Sequence, residues 1–320
     1  MNFRTSPLPG AGMTLFLLCV VSGMGKLVHN DYTFFPELAA LAYGVFMRPA
    51  GPWATAPLMV VATPTVTALW GFTVASHLPY GIPAACLCIA GSILVVRTMK
   101  SAVFPAVPAG FLPLVFNVTS AHYVAFIAFD TALLGLLSIA YRRWWQSGTA
   151  APGIASRRGP APAHASSKTV RWGVFSIVLA LAYLLADLTG VRLILFPPLI
   201  VIAYETLVRI ETCPWSHRCT WLPLICMVTA TLGWCGVDLF GTGPLSVLFA
   251  LAASILLIHV TDTFMLPALA ISVIPQIMHH TDWKYPLAIG AGTSVVVAAR
   301  SMLDTHASLQ SRSVSNRTAE

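Results

Sequence analysis

The sequence predicts an all-α polytopic membrane protein of about 12 transmembrane helices, in two tandem repeats of six with the same orientation. Three observations lead to this fold class. The 320 residues are 57% hydrophobic and only 9% charged, whereas a soluble domain carries about 25% charged residues. The apolar runs are continuous, which favours helices over the alternating strands of a barrel. The third observation is an internal duplication.

The duplication repeats one apolar pattern about 160 residues further along the chain. Residues 35–38 (Phe-Pro-Glu-Leu) match residues 196–199 (Phe-Pro-Pro-Leu), and Arg48 matches Arg209. Other matches share a spacing of 162 residues: Trp53 with Trp215, 92–94 with 254–256, 105–106 with 267–268, and Pro113 with Pro275. Such a repeat in a very apolar chain is typical of transporters built around a central site.

Twelve apolar segments can be marked along the chain. They lie near 11–29, 34–47, 56–76, 81–96, 102–116, 122–141, 172–190, 193–208, 219–239, 244–261, 264–278 and 285–299. Several have only about 15 residues, fewer than the roughly 20 that cross a bilayer untilted. The first segment is predicted to be an uncleaved span rather than a signal peptide, because no clear A-x-A cleavage site follows it.

The positive charges favour twelve crossings. If both termini are cytoplasmic, fifteen Lys and Arg residues lie on the inner side and three, Lys26, Arg192 and Lys284, on the outer side. With only eight crossings the count becomes ten against eight, which fits the positive-inside rule poorly. Six crossings per half is an even number, so the two repeats are predicted to have the same orientation.

The predicted domains follow from this count. Residues 1–141 form the first six-helix repeat and 172–303 the second. Residues 142–171 are rich in Gly, Ala, Pro and Ser, with six basic residues and no acidic one, and are predicted to be a flexible cytoplasmic linker. The polar residues 304–320 are predicted to be a disordered cytoplasmic tail.

Two short, proline-bearing segments occupy corresponding places in the two halves. Segment 102–116 contains Pro105 and Pro108, and segment 264–278 contains Pro267. Short, proline-interrupted segments at matching positions indicate broken helices near a binding site. The alternative is a kinked packing helix or a re-entrant hairpin without a ligand, since proline is common in membrane helices.

Ionisable residues inside apolar segments are costly and are therefore functional candidates. Asp130 lies near the middle of its segment and is the candidate for a coupling proton, the alternative being a neutral carboxyl bonded to a neighbouring helix. Arg97 and Lys100 precede the first proline-bearing segment and are candidates for attracting an anion, or they mark topology alone. His259 and Asp262 occupy the matching places and form a candidate pH-responsive pair.

Motifs of other functional classes are missing from the sequence. It has no phosphate-cradling glycine loop, nucleophile elbow, HExxH or paired carboxylates at catalytic spacing. No cofactor, metal or nucleic acid is therefore predicted as a partner. The net charge of +7 is attributed to basic residues in short loops, which set the orientation of the chain in the membrane.

Residues 34–116 contain four short motifs: the run 35–41, the Arg-Pro-Ala-Gly-Pro loop from Arg48, Arg97-Thr98 and Pro108-Ala109-Gly110. These motifs resemble those of the HPP family of integral membrane proteins, and 193–278 repeat them more faintly. Val107 stands where the naming His-Pro pair would begin, so that motif is broken. The resemblance implies a tandem, diverged multi-helix membrane protein in a family where some members resemble nitrite transporters.

The function predicted from these features is membrane transport of a small solute, for which an inorganic anion such as nitrite is one candidate. The path would lie between the two repeats, near Pro105 and Pro267. Two alternatives are a membrane enzyme acting on a lipid-linked substrate and a structural or regulatory subunit without transport. The expected partners are the lipid bilayer and the solute, and the expected location is a bacterial inner membrane.

Overall fold

The structure, a computed structural model, describes residues 8–28, 34–118, 120–146, 167–278 and 280–317. These residues contain no strand and form twelve α-helices. The helices are α1 (Leu8–Val28), α2 (Glu37–Met47), α3 (Pro57–His77), α4 (Ile82–Thr98), α5 (Val107–Val115), α6 (His122–Gln146), α7 (Lys168–Thr189), α8 (Pro197–Ala203), α9 (Leu222–Phe240), α10 (Pro244–Val260), α11 (Leu266–Val273) and α12 (Lys284–Arg317). Each predicted apolar segment coincides with one of them.

Six helices, α1, α3, α6, α7, α9 and α12, are long and apolar enough to cross a membrane. Large apolar side chains such as Leu136, Ile177 and Leu256 are exposed on the outer surface, as expected of a lipid-facing surface. The predicted all-helical architecture is therefore confirmed for the described residues, and the length and composition of these six helices are consistent with a membrane protein. The other six helices are shorter: α2, with 11 residues, is about 16 Å long, roughly half of a hydrocarbon core.

Proline and glycine set several helix ends. Pro244 and Pro267 occupy the first turns of α10 and α11, where a proline costs no internal hydrogen bond. The Ser167 hydroxyl accepts a bond from the backbone of Val170 and caps α7. That helix ends at Gly190, which has a φ of 70° and so takes the left-handed conformation that glycine favours.

Ring contacts show which helix ends share a side of the molecule. The Arg97 guanidinium, in the last turn of α4, lies 4.4 Å from the ring of Trp172 in the first turn of α7. The Arg192 guanidinium, just after α7, lies 4.4 Å from the ring of Tyr80, between α3 and α4. The start of α7 and the end of α4 therefore lie on one side, and the end of α7 and the start of α4 on the other.

Helix α5 lies against α3 and runs parallel to it. The Thr67 hydroxyl donates to the Ala106 carbonyl at 2.7 Å. One turn further along both helices, a Cβ at Gly71 would overlap the carbonyl of Gly110. Since Thr67 is ten residues from the start of α3 at Pro57, α5 begins about 15 Å along α3, near the middle of a bilayer.

Residues 162 apart make the same contacts in the two halves. The Tyr123 hydroxyl on α6 donates to the Ala109 carbonyl on α5 at 2.7 Å. The Tyr285 hydroxyl on α12 donates to the Ile271 carbonyl on α11 at 2.5 Å. Each of these short helices is thus anchored by a buried tyrosine from the long helix that follows it.

Backbone conformation and close packing repeat at the same spacing. Lys100, after α4, has a φ of 49°, and Asp262, after α10, has a φ of 47°. A positive φ is uncommon outside glycine. Its recurrence 162 residues apart means that the turns after α4 and α10 share an unusual backbone conformation. In addition, a Cβ at Gly233 on α9 would overlap the carbonyl of Ser272 on α11, just as Gly71 meets Gly110.

The two halves interlock through their short helices. Helix α2 of the first half packs on α11 of the second, and α8 of the second half packs on α5 of the first. Helix α1 also packs on α10. The contact between the halves is therefore built from short helices of both halves, with the long helices α1 and α7 also taking part.

The connecting segment and the tail differ from the prediction where they are described. Helix α6 continues to Gln146 and α7 begins at Lys168, so both ends of the predicted linker are helical, while residues 147–166 lie outside the described residues. Helix α12 extends through 304–317, so the prediction of disorder there is wrong up to Arg317. That stretch contains no glycine or proline, and Asp304 pairs with Arg300 one turn earlier at 2.9 Å.

Candidate functional site between the two halves

A cavity of about 570 Å³ lies between the two halves, where the short helices meet. Its lining includes the buried residues Glu37, Pro105, Pro108 and Pro267. The remaining lining includes Ala40, Gly44, Arg48, Pro52, Trp53, Arg97, Lys100, Ala102, Phe104, Pro198, Val201, Tyr204, Glu205, Arg209, Pro214, Trp215, Phe264, Leu266 and Ala270. The cavity volume suits a small ligand.

Much of the lining consists of equivalent residues from the two halves. At a spacing of 162 these are Pro52 with Pro214, Trp53 with Trp215, Ala102 with Phe264, Phe104 with Leu266, Pro105 with Pro267 and Pro108 with Ala270. At a spacing of 161 they are Glu37 with Pro198, Ala40 with Val201, Gly44 with Glu205 and Arg48 with Arg209. The duplicated segments of the sequence thus meet around one cavity.

The N-termini of two broken helices lie at the cavity. Pro105 is in the 3₁₀ turn that leads into α5, and Pro267 is in the first turn of α11. Both line the cavity, as does Pro108 in the first turn of α5. The first N–H groups of a helix have no internal partner and carry a partial positive charge, so both helix ends favour an anion in the cavity.

Cationic side chains outnumber carboxylates in the lining. Arg48, Arg97 and Lys100 line the cavity, and none of them pairs with a carboxylate among the described residues. A fourth cation, Arg209, is 3.0 Å from the Glu205 carboxylate. Because that pair is internally neutralised, three cations remain for a ligand.

Aromatic rings hold two of these cations in place. The Arg48 guanidinium lies 4.1 Å from the centroid of the Phe264 ring, and Arg97 stacks on Trp172. The Arg48 Nε atom is buried and has no hydrogen-bond partner in the described part of the chain. A guanidinium that is fixed by a ring and left with a free donor is well suited to bind an anion.

Stacked rings border the cavity on one side. The rings of Phe104 and Tyr204 are nearly parallel, with an interplanar angle of 9° and centroids 3.6 Å apart. Phe104 precedes α5 and Tyr204 follows α8, so the stack joins the two halves. It adds apolar surface next to the cations.

An ion pair fixes the segment next to the cavity entrance. Arg171 at the start of α7 is 2.7 Å from Glu211, which follows Arg209. Burial acts to raise the pKa of the Glu211 carboxyl, but the hydrogen bond and charge of Arg171, a backbone hydrogen bond and the charge of Lys168 together lower it by more, so this pKa lies below its ordinary value. The pair therefore holds the connection after α8 against α7.

Asp130 lies outside the cavity lining. Its side chain is buried, with 2% of its surface exposed, and it accepts a hydrogen bond from the Phe35 backbone just before α2. The structure thus places Asp130 where it positions the approach to α2.

Replacing Asp130 tests that positioning role. Asp130→Leu leaves the Phe35 N–H buried without its acceptor, which should lower the free energy of unfolding by about 1–3 kcal/mol. Asp130→Asn keeps an acceptor oxygen and should change it much less. Thermal unfolding of the purified variants in detergent measures both effects, and equal stability of Asp130→Leu and the parent protein would contradict the role.

His259 and Asp262 also lie outside the cavity lining. The His259 Nδ1 atom is 2.9 Å from the Ile255 carbonyl, one turn back in α10. The Asp262 backbone carbonyl is 3.3 Å from the His217 Nε2 atom. The cavity therefore reaches the end of α4, with Arg97 and Lys100, but not the equivalent end of α10.

Arg48 and Arg209 line the cavity but were not among the predicted site residues, whereas Glu37 and Glu205 were candidates only as ionisable residues inside apolar segments. Arg48 and Arg209 could have been found from their place in the repeat, since each follows its short helix at the same distance. Glu37 and Glu205 occupy inequivalent positions, so the repeat gives no signal for them. Among the described residues, no cluster of three or more His, Cys, Asp or Glu is placed to hold a metal ion.

Comparison of the chain with protein-family models, with curated proteins and with solved structures finds no match.

Proposed function

We propose that the protein transports a small anion across the membrane through a path between its two halves. The supporting observation is the excess of cations in the cavity: Arg48, Arg97 and Lys100 without carboxylate partners, beside the N-termini of α5 and α11. Helix N-termini directed at a central site are typical of secondary transporters. An anion bound there would exchange its hydration water for contacts with these fixed positive groups.

We further propose that all twelve helices contribute crossings, in two six-helix repeats of the same orientation. The parallel course of α5 and α3 supports this, because α4 and α5 then cross in opposite directions. Each short helix would cross one part of the bilayer, and the non-helical residues next to it would cross the rest. Both termini would be cytoplasmic, as would the end of the cavity that holds Arg97, Lys100 and Arg209, in keeping with the positive-inside rule.

Nitrite is the substrate we propose to test first. The reason is the motif resemblance to the HPP family, in which some members resemble nitrite transporters. The cavity itself recognises charge and size, so nitrate and formate belong in the same experiment. A bacterial inner membrane is the proposed location.

Uptake into proteoliposomes tests the function. Purified protein should give saturable nitrite entry above that of empty liposomes, with nitrate, formate and chloride run in parallel. Vesicles that hold heat-denatured protein control for leak. Folded protein that admits none of these anions faster than empty vesicles would overturn the proposed transport.

A further inference from the structure

Glu37 is a buried carboxyl in the lining of the cavity. It lines the cavity and has 2% of its surface exposed. Neither carboxyl oxygen has a hydrogen-bond partner within the described ranges. An ionised carboxylate in such a place needs a counter-charge or a proton, and no cation is bonded to it.

The carboxyl lies between the two halves. It interacts electrostatically with Tyr123 and with Tyr285, the equivalent tyrosines that anchor α5 and α11. Glu37 is therefore close to residues of both halves, although its equivalent residue is Pro198. Glu37 thus brings to the cavity an acidic group that the matching position of the second half lacks.

Other charged or titratable groups lie on the elements packed against α2 and in the lining of the cavity. Its own helix carries Tyr43 and is followed by Arg48; of the helices packed on α2, α1 carries Cys19 and Lys26 and α11 contains no titratable residue. The others include Tyr123 and Asp130 on α6, Tyr285 on α12, and Arg97, Lys100 and the Glu205–Arg209 pair around the cavity. The cations lie in the part of the cavity where an anion would bind.

We infer that Glu37 takes up the proton that accompanies the transported anion, so that the protein is an anion–proton symporter. This inference rests on the proposed function. A carboxylate and an anion in one poorly hydrated cavity repel each other, and a proton on Glu37 removes that repulsion. By linkage, a bound anion raises the affinity of Glu37 for a proton by the same factor as a proton on Glu37 raises the affinity for the anion.

The charges balance in the transport step. A monovalent anion and one proton bind together on one side and leave together on the other, and Glu37 returns to its starting state. No net charge crosses the membrane, so a membrane potential does not drive the step. If Glu37 carries no titratable proton, the same anion crosses alone and carries one negative charge.

Glu37→Gln tests the inference, because glutamine keeps the size and polarity of the side chain but cannot titrate. Parent protein should accumulate the anion about tenfold for a pH gradient of about one unit, and it should not respond to a potential set with potassium and valinomycin. The Glu37→Gln variant should lose the pH response. It should instead respond to a potential of about 100 mV by about fiftyfold, since one charge across about 100 mV corresponds to ~2.3 kcal/mol.

Asp130→Asn is the matched control, since Asp130 is the other buried carboxyl near α2 and lies outside the cavity lining. It should keep the pH response of the parent. Parent-like coupling in Glu37→Gln would overturn the inference while leaving transport established, as would loss of coupling in Asp130→Asn alone. Absence of saturable uptake by the parent protein would overturn the proposed function itself. If Glu37→Gln does not fold, Glu37→Asp replaces it and should shift the pH dependence of uptake.

Discussion

Gly71→Ala and Gly233→Ala are expected to destabilise the protein severely, each by about 3 kcal/mol or more. A Cβ at Gly71 would overlap the backbone carbonyl of Gly110, and a Cβ at Gly233 would overlap that of Ser272. In both cases the obstacle is backbone rather than a flexible side chain. The short helix would therefore have to move away from its long neighbour, α5 from α3 or α11 from α9.

Transport should be lost even in variant protein that still folds. Helices α5 and α11 carry Pro105 and Pro267 at the cavity, so displacing either helix moves its N-terminus and the adjoining lining. A variant that still folds should consequently show strongly reduced uptake. Thermal unfolding in detergent and uptake in proteoliposomes measure the two effects separately.

Gly12→Ala and Gly173→Ala are the matched controls. These glycines lie at equivalent positions on α1 and α7, and a Cβ at either would meet no other atom within 4 Å. Because alanine is the better helix former, these variants should be unchanged or more stable by about 0.5–1 kcal/mol. If Gly71→Ala melts like Gly12→Ala, α5 does not approach α3 as closely as the structure has it.

The sequence was sufficient to predict the helices, because each is a continuous apolar run bounded by proline, glycine or charge. It also indicated the elements that meet at the cavity. Pro105 and Pro267 recur at one spacing, and the proline pattern marks the interrupted helices at whose ends the cavity lies. The tail was mispredicted because polar composition was given more weight than the lack of helix breakers in residues 304–317.

The sequence could not show which of the charged residues lie at the cavity. Asp130 and Glu37 both lie in apolar runs, and their different roles depend on neighbours that are distant along the chain. Asp130 meets the Phe35 backbone, whereas Glu37 meets the cavity. Similarly, Arg97 and His259 are equivalent in sequence, but only the end of α4 borders the cavity, since the two halves do not pack symmetrically.

Removing a cavity cation is expected to weaken anion binding strongly. Arg97→Gln and Lys100→Gln should each raise the KM of anion uptake about thirtyfold. A unit charge at about 8 Å contributes about 2 kcal/mol at an effective dielectric constant of about 20, and each 1.4 kcal/mol is a factor of about ten. The maximal rate should change less than the KM, because the affected charge acts on binding.

Two further variants separate the effect of a cavity charge on the KM from the effects of side-chain packing and of net charge. Arg97→Lys keeps the charge but loses the planar stack on Trp172, so it should retain most of the affinity if charge dominates. Arg143→Gln removes an exposed cation at the end of α6 that does not line the cavity, and it should leave the KM unchanged. An equal loss in Arg143→Gln would mean that the net charge of this side, rather than the cavity, attracts the anion. In that case the loss should also fade at high salt, because exposed charges are screened over about 10 Å at 0.1 M ionic strength.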